Sequence, residues 1–158
     1  MTAIQPTRKD FAEFFRLGLL VGVCELPSVV RWTDDIISSE PSPPFAFCDL
    51  STCESQPVSA AVGFLTAVPG ERTPDLAVHM LLGHCYRLAR SGAISITDTL
   101  LRLYRIAATE HFPERIYFEL VRQEDAFALA RDLVHGTLLE VEQSFIQYLS
   151  GFDSYAVQ

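Results

Sequence analysis

Arg87-Leu-Ala-Arg-Ser-Gly-Ala-Ile-Ser-Ile-Thr-Asp-Thr-Leu-Leu-Arg-Leu-Tyr104 writes a helix end, a turn and a helix start into one short stretch. Gly92 is the residue type that stops a helix in a left-handed conformation. Ser95 with Asp98 three residues later has the form of a capping box. Behind it Ile96, Leu100, Leu103, Tyr104 and Ala107 recur at helical spacing, with Arg102, Arg105 and Thr109 on the other side. So short a connection forces antiparallel neighbours, so Leu88 and Ala89 should face Ile96 and Leu100. The same grammar recurs at residues 16–32 (RLGLLVGVCELPSVVRW) and 131–146 (RDLVHGTLLEVEQSFI). The expected fold class is therefore all-α: six to seven helices in antiparallel hairpins, packed as an irregular helical bundle or a short HEAT-like stack.

Working outward, Thr7 and Asp10 form a box ahead of Phe11, Phe14, Phe15 and Leu19, a first helix ending near Gly22. Pro27 opens a second through Val29, Val30, Trp32, Ile36 and Ile37, closing between Ser38 and Glu40. Residues 40–56 carry three prolines and read as a Pro-rich loop with apolar anchors. One short strand at FAFCDL is the alternative, but it would have no partner for its backbone groups. Pro57 starts a third helix that runs to Val68 and is broken by Pro69-Gly70. Thr73-Pro74 reads as the N-cap and first turn of a fourth, with Val78, Leu81, Leu82, Cys85, Leu88 and Ala89 inward and His84 toward solvent. Pro113 opens a region through Ile116, Tyr117, Leu120, Phe127, Leu129 and Val134, either continuous or interrupted at Arg122 to Asp125, and terminated by Gly136. Thr137 with Glu140 caps the last helix, whose face is Leu138, Val141, Phe145, Tyr148 and Leu149.

The chain of 158 residues is 49% hydrophobic, enough for a real core, and its length fits a single helical domain over residues 1–158. The longest apolar run, Leu17 to Cys24, is too short to cross a bilayer, and the N-terminal stretch has no export signal, so the expected location is cytoplasmic. Cys24, Cys48, Cys53 and Cys85 then read as reduced thiols. Cys48 and Cys53 have no second close Cys/His pair to complete a zinc site, and no metal or cofactor is expected. The net charge of −8 disfavours nucleic acid and anionic membranes and suits another protein, a basic one; a structural subunit that oligomerises through a symmetric apolar patch is the third possibility.

Chemistry is sparse. His79 and His84 diverge by about 140 degrees around a helix and cannot share a metal. A small-ligand or enzyme site assembled between helices would draw on His79, His111 or His135 with a cysteine or acid. His135, beside Gly136, needs only a helix C-terminus to explain it. No Gly-rich phosphate loop, GxSxG elbow or HExxH motif occurs. Lys9 is the one lysine beside eleven arginines; Arg87, Arg90, Arg102 and Arg105 can form a basic strip, though pairing with nearby acids is the simpler reading. Trp32 reads as a core anchor. The stretch Pro41 to Cys53 with Glu54 is where an aromatic anchor in acidic surroundings could meet a partner: Phe45, Phe47, Asp49 and Glu54, with Asp34 and Asp35 on the preceding helix.

Arg31-Trp32-Thr33-Asp34-Asp35-Ile36-Ile37, then Pro43-Pro44 and Phe47-Cys48-Asp49-Leu50-Ser51, resembles a group of small bacterial helical proteins sharing a Trp-x-Asp-x-x-Ile helix with a double-proline exit. Some of these are similar to immunity proteins of toxin systems. The resemblance spans residues 8 to 70 and departs at Thr33, where the pattern has a small residue such as alanine. It implies a neutralising, protein-binding role. The expected function is thus a non-enzymatic interaction domain, an immunity-type inhibitor of a basic partner, with the inter-helix His/Cys/acid site as the alternative.

Overall fold

The computed structural model describes residues 5–157. Met1–Ile4, on which part of the reading of the N-terminus as signal-free rests, lie outside the described residues. Among those described there are eight α-helices and two 3₁₀ turns, and no strand. Residues group into two compact units, one ending at Ala77 and the other starting at Val78.

The first unit holds α1 (Arg8–Val21), α2 (Leu26–Ser39), α3 (Phe45–Ser51), a 3₁₀ turn (Cys53–Ser55) and α4 (Val58–Ala67). Thr7 and Asp10 cap α1 as a reciprocal box, and Gly22, at φ 83, closes it. Helix α1 packs on α4, α2 on α3, and α3 on α4. Trp32 joins α2 to its neighbours, with ring centroids 5.2 Å from Phe15, 6.4 Å from Phe11 and 5.5 Å from Phe47. Phe14, Leu17, Val29, Phe47, Leu50 and Leu65 are fully or almost fully buried. Thr33 is buried too, its hydroxyl satisfied by donating to the Val29 carbonyl at 2.9 Å.

The eighth helix is α3, and it corrects the reading of residues 40–56 as loop throughout. Prolines confine themselves to 41–44; from Phe45 onward Phe47 and Leu50 turn inward while Phe45, Cys48, Asp49 and Thr52 are exposed, a helical period. Seven residues without a side-chain cap hold no helix alone, so packing of Phe47 and Leu50 against the unit supplies the stability.

A polar latch ties α1 to the strap after α4. Asp10 is fully buried and accepts from the Thr7 amide at 2.8 Å, the Thr73 amide at 2.7 Å and the Thr73 hydroxyl at 2.9 Å. Beside it Glu13 pairs with Arg16 at 2.7 Å and Arg72 at 3.1 Å, and Lys9 donates to the Thr66 carbonyl. Thr73 donates both its amide and its hydroxyl to Asp10, and it is not the N-cap expected of it, because Pro74 and Asp75 form a turn and the helix starts only at Leu76. Asp75 at φ 62 then re-aims the chain, and the next helix, α5 (Leu76–Ser91), begins after it.

The second unit contains nearly all of α5, with α6 (Ile96–Thr109), α7 (Glu114–Arg131), α8 (Leu138–Ser150) and a 3₁₀ turn (Asp153–Tyr155). Val78, Leu81, Leu82, Cys85 and Ala89 are buried as the period of α5 requires, but Leu88 and His84 are half-buried. Gly92 does adopt positive φ, 74°. Ser95 accepts from the Asp98 amide, without the reciprocal bond of a full box; Thr137 and Glu140 make both. Helices α6, α7 and α8 pack on one another around Leu100, Leu103, Leu120, Phe145 and Leu149. Gln123 joins that core with its amide donating to Glu119 and Ser144, which is why the polar cluster at 122–125 leaves α7 unbroken. The helix stops earlier than expected, at Arg131, because Leu133 turns left-handed at φ 57; Val134 is consequently exposed rather than on an inner face, and Leu129 and Leu138 are exposed with it.

Candidate functional site

The first unit exposes an uncovered aromatic ring on α3 and acids on both α2 and α3. Helix α2 turns Arg31, Asp34, Asp35 and Ser38 outward at i, i+3, i+4, i+7, the stripe opposite Val29 and Thr33. Helix α3, packed on α2, turns out Phe45, Cys48, Asp49 and Thr52 at the same spacing. Phe45 is 88% exposed at the head of α3, with Asp49 one turn behind and Glu54 exposed in the 3₁₀ turn. Phe47 is not on this surface: it is fully buried against Trp32, with the Arg8 guanidinium 5.9 Å over its ring and ion-paired to Glu40. Of the six residues expected to meet a partner, five lie on the outer faces and Phe47 fixes α3 from beneath.

The histidines occupy different settings. His79 is half-buried, its ring tilted against Phe152 at 5.4 Å and Tyr155 at 5.1 Å, as the C-terminal segment lies over α5. His111, at φ 53, is exposed in the α6–α7 turn, and His135 is exposed in the α7–α8 turn. Among the described residues no group of three or more His, Cys, Asp or Glu side chains could hold a metal ion. The cysteines are all free thiols. Burial pushes the Cys24 thiol up to about 12; its sulfur sits directly over Gly18, where any Cβ would collide with it. Burial also raises Cys53.

The arginine strip is only partly a strip. Arg87 turns to Asp153 at 3.1 Å and Arg90 lies 5.8 Å over the Tyr86 ring, so both line an open groove of about 380 Å³ while already engaged. Arg102 and Arg105 are exposed on α6.

Sequence reasoning missed a second surface. At the α7–α8 turn Leu129, Leu133, Val134, Leu138 and Leu139 are all exposed, Leu133 at 91%. No local signal marks it in the sequence, because it follows from the left-handed backbone of Leu133, which leucine rarely adopts.

No family model, curated protein or solved structure matches this chain. Among the described residues no helix is long and apolar enough to cross a membrane.

Proposed function

We propose that the chain is a protein-binding module of the inhibitor kind, an immunity-type protein that docks a basic partner through the outer faces of α2 and α3. The observation that carries this reading is Phe45, a whole phenyl ring held in water on a helix whose other face is locked into the core. Leaving such a ring uncovered forgoes about 2 kcal/mol of burial, which a partner's pocket recovers. Asp34, Asp35, Asp49 and Glu54, exposed on the same unit, favour a partner rich in Lys and Arg, and the net charge of −8 steers that partner in. The resemblance of residues 8 to 70 to immunity-like proteins supports the same role. The test is quantitative capture from native lysate, with wild type compared against Phe45→Ala and against Asp34→Lys with Asp35→Lys. A stoichiometric basic partner should be retained by wild type and weakened about tenfold or more by either change. Equal retention by all three, or retention of a turned-over small molecule in place of a protein, overturns the reading.

A further inference from the structure

The exposed apolar surface at the α7–α8 turn belongs to the second unit and is independent of the α2–α3 face. Its core is Leu133, which combines near-complete exposure with a left-handed backbone that a leucine rarely adopts. That backbone closes the end of α7, with the Leu133 amide donating to the Ala130 carbonyl at 3.2 Å and the Val134 amide to the Leu129 carbonyl at 2.9 Å, and it leaves the Leu133 side chain in water. Leu129, Leu138 and Leu139 are exposed on either side of it in the chain, so the apolar surface gathers at the end of α7 and the head of α8; further back on the same side of α7 stand the exposed Asp125 and Arg122.

The charges flanking this turn are mostly acidic. Arg122 and Arg131 are already held, by Glu119 at 2.5 Å and by Asp132 at 2.9 Å, while Glu124, Asp125, Glu140 and Glu142 add further carboxylates. A second copy of the chain would bring the same carboxylates against themselves, and an anionic bilayer would be repelled. Complementarity selects a cationic occupant with an apolar face. We infer that this surface docks an amphipathic basic helix, seated across the α7–α8 turn on Leu133 and Leu139, with its lysines or arginines beside Asp125, Glu140 and Glu142.

The probe is a synthetic helix of leucine on one face and lysine on the other, titrated into the full chain at low salt and followed by amide chemical shifts. The expected result is saturable binding with shifts centred on residues 125–142. Affinity should fall tenfold or more in a Leu133→Asp, Leu139→Asp variant of unchanged circular dichroism, and fall with added salt. Phe45→Ala should leave this binding intact, which separates the inference from the α2–α3 reading. Absence of binding, shifts confined to the first unit, or indifference to the two substitutions overturns it. So does a concentration-dependent dimer in sedimentation that Leu133→Asp dissolves, which would assign the surface to a second copy. Leu133-dependent co-sedimentation with phosphatidylcholine vesicles, without peptide binding, would assign it to a bilayer.

Discussion

At the scale of single residues, two adjacent positions in α5 and one just past its end separate three kinds of cost. Leu82 is fully buried, so Leu82→Ala should lose about 2 to 5 kcal/mol as a cavity opens. Gly83 has no room for a side chain: a Cβ there would lie 2.4 Å from the Phe152 carbonyl oxygen and 2.8 Å from the Ala156 nitrogen. Backbone cannot step aside as a side chain tip can, so Gly83→Ala should cost about 2 to 3 kcal/mol. Gly92 has open space around it and only its positive φ to protect, so Gly92→Ala should cost about 1 kcal/mol. Urea denaturation of the three variants checks the order. A neutral Gly83→Ala would mean that the segment from Phe152 to Ala156 does not lie on α5. Thiol reactivity gives a second residue-scale test: in the folded chain the exposed Cys48 should take up an alkylating agent well before Cys24, which is both covered and held up to about 12.

At the scale of elements, the latch between α1 and the strap makes stability depend on acid. Burial alone would push the Asp10 carboxyl up, but the donors of Thr7 and Thr73 outweigh it and hold the group below its ordinary range. Glu13 is likewise pushed up by burial and brought below its ordinary range by Arg16, Arg72 and Lys9. Groups depressed in the folded state add stability that is present above their unfolded values and disappears as pH falls through the folded ones. The urea midpoint should therefore drop between about pH 5 and pH 2, and Asp10→Asn should flatten that limb while costing about 2 kcal/mol at neutral pH. A limb unchanged by Asp10→Asn would place the acid sensitivity elsewhere. This latch also marks where local reading of the chain runs out. Thr73 ahead of Pro74 has every local property of a cap, but an aspartate from sixty-odd residues earlier ties it to α1, and the left-handed Asp75 delays the helix to Leu76. Helix α3 is the converse case: its period is written in Phe47 and Leu50 against Phe45 and Asp49, but a seven-residue segment is too short for that pattern to outweigh the prolines before it. The long capped helices α1, α6 and α8 were legible because cap, period and stop agree within each. The five outward residues of the α2–α3 surface could be read from charge and loop context, whereas the Leu133 surface depended on a left-handed turn that leucine does not announce.

At the scale of the whole molecule, the excess of carboxylates keeps the chain apart from itself near neutrality, and that protection fades toward pH 4.9, where its charges balance. With Leu133, Leu138 and Leu139 uncovered, turbidity should peak near that pH, and Leu133→Asp with Leu139→Asp should suppress it beyond the shift that two extra charges produce, as judged against two aspartates introduced on the exposed face of α6. Equal suppression by the control would detach self-association from this surface. The aromatic residues are also divided between the two units. Trp32, among the rings of Phe11, Phe15 and Phe47, is the sole tryptophan and belongs to the first; Tyr86, Tyr104, Tyr117, Tyr148 and Tyr155 are all the tyrosines there are, and every one belongs to the second. The chain thus carries a separate built-in optical reporter for each half. Indole emission excited beyond the phenol band follows only the first, and the tyrosine component of second-derivative absorbance follows the second, so one unlabelled denaturation experiment reveals whether the halves melt as a single cooperative block or as two.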